Sequence, residues 1–65
     1  MNRILTIQDT AQNIEHIRMF ILENSLSVHF NVEDDSTIVI STTGDISDVL
    51  SQILSYQRSL YTISV

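Results

Sequence analysis

The 65-residue chain lacks several residue types that small domains use to stabilise themselves or to bind ligands. It has no cysteine, so neither a disulfide nor a Cys/His zinc site can hold the fold together. It also has no lysine, and eight acidic residues against three arginines give a formal net charge of -5 at pH 7. Negative charge of this size disfavours phosphate backbones and anionic lipid surfaces, so we expect no nucleic acid and no membrane as partners.

Two longer patterns are missing as well. The chain has no run of about 18 apolar residues, so no membrane span is expected. A basic and hydrophobic N-terminal segment is also absent, which favours a cytoplasmic location. With 43% apolar and 17% charged residues the chain is too hydrophobic to be disordered, and its length predicts one domain over residues 1–65. Such a domain buries only about 60% of its unfolded surface, so self-association or a partner is expected to add stability.

The first half of the chain predicts a strand followed by a helix. Residues 3–8 are rich in strand-forming residues, and Asp9 or Thr10 then offers an oxygen that can cap a helix. From Ala11 to about Asn24 the apolar residues follow the helical period and predict one buried stripe, formed by Ile14, Ile17 and Ile21.

The middle of the chain predicts a hairpin of two strands. Residues 26–32 alternate strictly between apolar and polar side chains, the pattern of a strand with one buried face. The polar residues 33–36 have the length of a hairpin connection, and residues 37–42 resume with Ile38 and Ile40 facing inward.

The last third predicts a turn, a second helix and a fourth strand. Gly44 permits the turn, Asp45 caps the helix, and the helix is expected to end near Ser59. Its predicted inward stripe consists of Ile46, Val49, Leu50, Ile53 and Leu54. An alternating tail then predicts the strand, with Tyr61 closing the core ahead of Ile63 and Val65.

This order of elements predicts an α+β, ferredoxin-like βαββαβ fold. Its four-stranded antiparallel sheet would carry both helices on one face, with strands one and three in the centre and strands two and four at the edges. A helical hairpin with flanking strands in a swapped dimer is the competing architecture.

The second half resembles a known type of domain. The segment Thr37–Asp45 with its closing glycine, the helix Val49–Leu54 and the final Ile63–Val65 are similar to an ACT-type regulatory domain, particularly that of acetolactate synthase small subunits. The resemblance implies a regulatory module that associates through its sheet edge or its helices and acts on an enzyme or another protein. ACT domains also bind a small amino acid at the loop after strand one. Residues 8–12 form that loop here and contain neither glycine nor proline.

Two surfaces are candidates for binding a partner protein. Ile4 and Val39 are expected on central strands and face away from the helices, where they would form an uncovered apolar patch. Met19 and Phe20 would lie outside the buried stripe of the first helix. They are either a contact surface or, if that helix is rotated, residues packed under the sheet edge. Tyr56 suits the rim of an interface.

The polar candidates have ordinary explanations. His29 is expected on the open sheet face, where it could titrate at an interface, and His16 on a helix flank, with no triad or metal spacing around either. The acidic residues 33–35 could bind a cation, but without a glycine turn they are better read as a solvated hairpin tip. The arginine loop, paired cysteines and strand aromatics that mark catalytic, copper-carrying or RNA-binding members of this fold are absent. We therefore expect no enzyme activity and no cofactor.

The sequence leaves three functional hypotheses. The first is a non-catalytic regulatory or adaptor module that forms a homodimer and binds a larger protein. The second is a free-standing acidic inhibitor of the phage type, which would occupy a basic surface of its target. The third is an amino-acid-sensing regulatory subunit, which would be stabilised by its ligand.

Overall fold

The computed structural model describes residues 2–43 and 47–62. They form an α+β domain, as the sequence predicts. Its elements in chain order are β1 (Asn2–Gln8), α1 (Ala11–Glu23), β2 (His29–Glu33), β3 (Thr37–Thr43) and α2 (Ser47–Thr62). No helix in these ranges combines the length and apolar character that a membrane span requires.

The described sheet has three antiparallel strands in the order β1-β3-β2. Leu5 of β1 lies opposite Ile40 of β3, which lies opposite Phe30 of β2. This arrangement is compatible with the ferredoxin-like topology, but it does not contain the four strands that we predicted. Only β3 has two neighbours among the described strands, so β1 lies at an edge of the described sheet. The strand predicted on its other side would include residues 63–65, which lie outside the described ranges.

Tyr61, where the predicted fourth strand begins, lies inside α2. The helix continues to Thr62, three residues beyond the predicted end near Ser59, so Tyr61 belongs to its last turn. The hydroxyls of Ser59 and Thr62 donate to the carbonyls of residues 56 and 59 at 2.6 and 2.8 Å, within the helical backbone. Residues 63–65 lie outside the described ranges, and so do the predicted turn and cap at Gly44 and Asp45 together with Ile46.

Both helices pack on one face of the sheet and enclose a core of isoleucine. The side chains on this face alternate along β3, where Ile38 and Ile40 are fully buried. The buried stripe of α1 is the one that its sequence period predicts. The buried apolar residues among those described are Ile7, Ile14, Ile17, Ile21, Ile38, Ile40 and Ile53.

The stripe of α2 differs from the prediction at two places. Ile53 is buried and Val49 and Leu50 are half-buried, but Leu54 is exposed instead of facing inward. The core side of the helix is completed further along by Tyr56 and Leu60. Residues 49, 53, 56 and 60 follow the helical period over three turns, and this longer stripe keeps the chain helical past Ser59.

Local hydrogen bonds decide where α1 begins and where β2 begins. Thr10 caps the helix, with its hydroxyl accepting from the amide of Asn13 at 3.1 Å. At the other end, the amide of Leu26 donates to Ile21 at 3.1 Å and that of Ser25 donates to Leu22 at 3.2 Å, the pair of bonds of a Schellman cap. This cap holds Leu26 on the end of the helix, so β2 starts at His29 and not at the predicted Leu26.

The Schellman cap provides a test of this local geometry. Ser25 has a φ of 51°, in the left-handed region where a Cβ costs about 1–2 kcal/mol and where glycine is the usual residue. We expect Ser25→Gly to stabilise the fold by about 0.5–1 kcal/mol, because the relieved cost exceeds the added chain entropy of glycine. The melting temperature should rise by about 2–8 °C.

The matched control is the same substitution inside a helix. Ser51 is exposed in α2, where Ser51→Gly should destabilise the fold by about 0.5 kcal/mol. A melting temperature for Ser25→Gly at or below that of the wild type would contradict the left-handed cap.

Candidate functional site

The sheet has a second face, here called the open sheet face, that the described helices do not cover. Its side chains alternate with the buried ones along each strand. The strand register places them in three rows: Ile4, Ser41 and His29; Thr6, Val39 and Asn31; and Gln8, Thr37 and Glu33.

Apolar side chains lie on the β1 and β3 part of this face. Ile4 is 71% exposed, more than any other large hydrophobic residue among those described, and Val39 is half-buried in the next row. The other β1 and β3 positions in these three rows carry serine, threonine and glutamine, with no charge. The predicted placement of Ile4 and Val39 on the side away from the helices therefore agrees with the register.

The β2 part of the open sheet face carries its titratable groups. His29 and Glu33 are exposed at the two ends of the strand, with Asn31 between them. His29 lies in the same row as Ile4, across Ser41 of β3. The structure thus brings three predicted partner-binding residues, Ile4, His29 and Val39, onto one surface.

Phe20 and Tyr56 meet on the opposite side of the molecule. Their rings stack between α1 and α2 with centroids 4.2 Å apart and planes within 10°. Both side chains are half-buried and pack against the core, so Phe20 is not freely exposed and lies against the ring of Tyr56 from α2. The pair lines an open groove of about 450 Å³, whose other lining residues are Ser51, Gln52, Ser55 and Ser59.

Met19 belongs to neither surface. It is 39% exposed on α1, where its sulfur lies 3.6 Å from a guanidinium nitrogen of Arg18. Arg18 also donates to the carboxylate of Glu15 at 2.6 and 3.0 Å. The hydrogen bond from Arg18 lowers the pKa of Glu15 below its ordinary value.

A polar cluster joins the loop after β1 to the end of α2. One carboxylate oxygen of Asp9 accepts from the amide of Gln57 at 2.7 Å and from the hydroxyl of Tyr61 at 2.5 Å. The other oxygen accepts from the backbone of Thr10 at 2.7 Å and from the side chain of Asn13 at 3.0 Å. Four donors thus converge on one carboxylate, and we call these five residues the Asp9 cluster.

The hydrogen bonds of the Asp9 cluster favour the charged carboxylate. Partial burial of Asp9 raises its pKa, but the bonds from Tyr61, Gln57, Thr10 and Asn13 together outweigh it and lower the pKa to about 2. The same hydrogen bond raises the pKa of Tyr61, because the phenol must keep its proton in order to donate to Asp9. The alternating tail predicts Tyr61 in the core, but its side chain is exposed and donates to Asp9 instead. The spacing of Gln57 and Tyr61, four residues apart on one helix face, is the signal that could have indicated the Asp9 cluster.

The Asp9 cluster occupies the position where the ACT resemblance places an amino-acid site. Every side-chain oxygen of Asp9 is already used, and the backbone amide of Asp9 donates to the carbonyl of Ser36 at 3.0 Å. The loop is therefore tied to α2 and to the β2–β3 turn by its own hydrogen bonds.

No group of three or more metal-ligating side chains occurs in residues 2–43 and 47–62. His16 is exposed on α1, and the predicted acidic hairpin tip contains Asp34 and Asp35, which have left-handed φ values of 55° and 60°. Aspartate tolerates this conformation better than most residues, which accounts for both positions as parts of the turn.

Comparison with known proteins gives no relative from which a function could be transferred. No family model, no curated protein and no solved structure matches this chain.

Proposed function

We propose that this chain is a non-catalytic, cytoplasmic regulatory or adaptor module of the ACT-like kind, which self-associates and binds a larger protein through its open sheet face. The observation that carries the proposal is that Ile4 is 71% exposed beside Val39 on the open sheet face. The β1 and β3 residues in the rows of this face carry no charge. Uncovered apolar surface on a small domain is typical of an association site.

The energetics of the fold support a partner. A domain of 65 residues without a disulfide has a small core, and its buried apolar part consists of seven isoleucines among the described residues. Covering Ile4 with a partner removes apolar surface from water and stabilises the folded state by mass action.

The distribution of charge favours this proposal over an acidic inhibitor. Asp9 is held inside its own cluster, Glu15 is paired with Arg18, and Glu33, Asp34 and Asp35 are confined to one hairpin. An inhibitor of a basic surface needs a continuous array of free carboxylates. The two regions with exposed apolar or aromatic side chains are instead weakly charged, which suits an apolar interface.

The open sheet face is tested with the variant Ile4→Thr. Threonine keeps the β-branched shape that suits a strand but removes most of the apolar surface. The full chain serves as bait in an extract of its native host, and the captured partner is quantified by mass spectrometry. We expect the Ile4→Thr variant to recover about tenfold less of the partner than the wild type.

Leu22→Ala is the matched control, since Leu22 is an apolar residue 51% exposed on α1. It should leave recovery unchanged. Equal capture by the wild type and Ile4→Thr would refute the open sheet face as the binding surface.

A further inference from the structure

The strand β2 has an unpaired edge that is complementary to itself. In the described sheet β2 pairs with β3 alone, so one row of its backbone amides and carbonyls has no strand beside it. Such an edge is a template for another strand. In the ferredoxin-like topology a further strand would be added beside β1, so the β2 edge stays open in either arrangement.

The residues of β2 decide which strand fits this edge. Its sequence places a histidine at one end, a glutamate at the other and an asparagine in the middle. When two copies pair antiparallel about Asn31, His29 of each copy lies opposite Glu33 of the other. An imidazole N–H can then donate to a carboxylate, and this contact occurs twice because the pairing is symmetric.

The other face of the strand is complementary in the same register. Phe30 and Val32 point to the helix side and are half-buried in one copy, so each keeps surface that a neighbour can cover. Pairing about Asn31 places Phe30 opposite Val32 of the second copy and Val32 opposite its Phe30. Aromatic and β-branched residues directly opposite each other stabilise antiparallel strands.

Other registers lose these contacts. Shifting the pairing centre to Phe30 or to Val32 shortens the overlap and leaves the charged ends without their partners. Centring it on Glu33 places two carboxylates opposite each other, which is destabilising. Among these registers, pairing about Asn31 is the one that uses all five residues of β2. Like every antiparallel pairing centred on a residue, it keeps the open sheet faces of both copies on one side.

We infer that two copies of this chain associate through β2, in antiparallel register about Asn31, to form one continuous sheet in the order β1-β3-β2-β2-β3-β1. The occupant of the β2 edge is a second copy of the same strand. This inference rests on the self-association in the proposed function and names its surface. Both open sheet faces then form one wide platform, with Ile4 near each end, for the larger partner.

The decisive experiment reverses the charges of the predicted pairs. His29→Glu places two glutamates opposite each other at both ends of the interface, and Glu33→Lys places a lysine opposite each histidine. Each single variant should weaken self-association by about tenfold, since two cross-strand pairs change from attractive to repulsive or unpaired. Sedimentation velocity over a concentration series measures this directly.

Combining the substitutions should restore the interface. The double variant H29E/E33K places glutamate opposite lysine at both ends and is expected to dimerise at least as well as the wild type. An equimolar mixture of H29E and E33K should likewise form mixed dimers that neither chain forms alone. Only antiparallel pairing with residue 29 opposite residue 33 predicts both recoveries.

His16→Glu and Glu23→Lys are the matched controls, because they make the same charge changes at exposed positions of α1. They should leave the association constant unchanged, and circular dichroism of all variants checks that the fold is retained. Self-association that survives both single β2 variants, or that the double variant does not recover, overturns the β2 pairing while leaving the proposed function intact. A wild type that stays monomeric throughout the concentration series overturns both. The loss of partner recovery with Ile4→Thr tests the open sheet face and does not depend on the outcome for the β2 pairing.

Discussion

Replacing Ile17 with alanine is expected to unfold a large fraction of the protein at 25 °C. Ile17 is 0% exposed and lies in the middle of the buried stripe of α1, the helix that packs against β3 and α2. Removing such a side chain costs about 2–5 kcal/mol, because the lost burial is added to the cost of the cavity. The whole domain has about 3–10 kcal/mol of stability at this length, so the loss is comparable to the total.

Urea denaturation followed by circular dichroism measures this effect. We expect the transition midpoint of Ile17→Ala to fall close to zero denaturant, without a folded baseline. Leu22→Ala, at an exposed position of the same helix, should change the free energy of unfolding by less than about 0.5 kcal/mol. A well-folded Ile17→Ala variant with a midpoint near that of the wild type would contradict the described core.

Acidification should remove a contribution that the Asp9 cluster makes to stability. The pKa of Asp9 is about 2 in the folded protein, below the value of about 3.9 in an unfolded chain. Because the folded-state pKa is lowered, this contribution is fully present above pH of about 4 and is lost as the pH falls towards about 2. Asp9 is partly solvated, and solvent screening lowers the contribution of its charge to about 1 kcal/mol.

The variant Asp9→Asn isolates this contribution from the titration of the other carboxylates. It should be about 1 kcal/mol less stable than the wild type near neutral pH, and the difference should vanish at pH of about 2. Asp35→Asn, at the exposed hairpin tip, should show no such pH-dependent difference. A constant difference between wild type and Asp9→Asn across this pH range would show that the charge of Asp9 is not stabilised by its donors.

The first helix and the hairpin could be predicted because their signals are local. Ile14, Ile17 and Ile21 recur at the helical period, and Thr10 lies within hydrogen-bonding reach of an amide three residues away. The hairpin follows from alternation on either side of a short acidic turn. Even here, the alternation alone placed the start of β2 too early, because Leu26 serves the Schellman cap of α1 and not the sheet.

The candidate surfaces were only partly predictable. The alternation of side chains along each strand places Ile4, Val39 and His29 on one side of the sheet. This assignment does not depend on where the helices pack. By contrast, the position of Phe20 depended on how α1 and α2 lie against each other. Its stacking on Tyr56 joins residues from separate helices, and nothing in the local pattern of either helix specifies it.

By itself the sequence determined the α+β class, the isoleucine stripe of α1 and the alternation that separates the two faces of the sheet. The tertiary structure decided that α2 extends through Tyr61, and that Asp9 receives bonds from residues 48 and 52 positions away. It also decided that β1 lies at an edge of the described sheet. The physical reason is that caps and periods act within one or two turns of the chain, whereas these features depend on which distant donors and apolar side chains meet when the helices pack on the sheet.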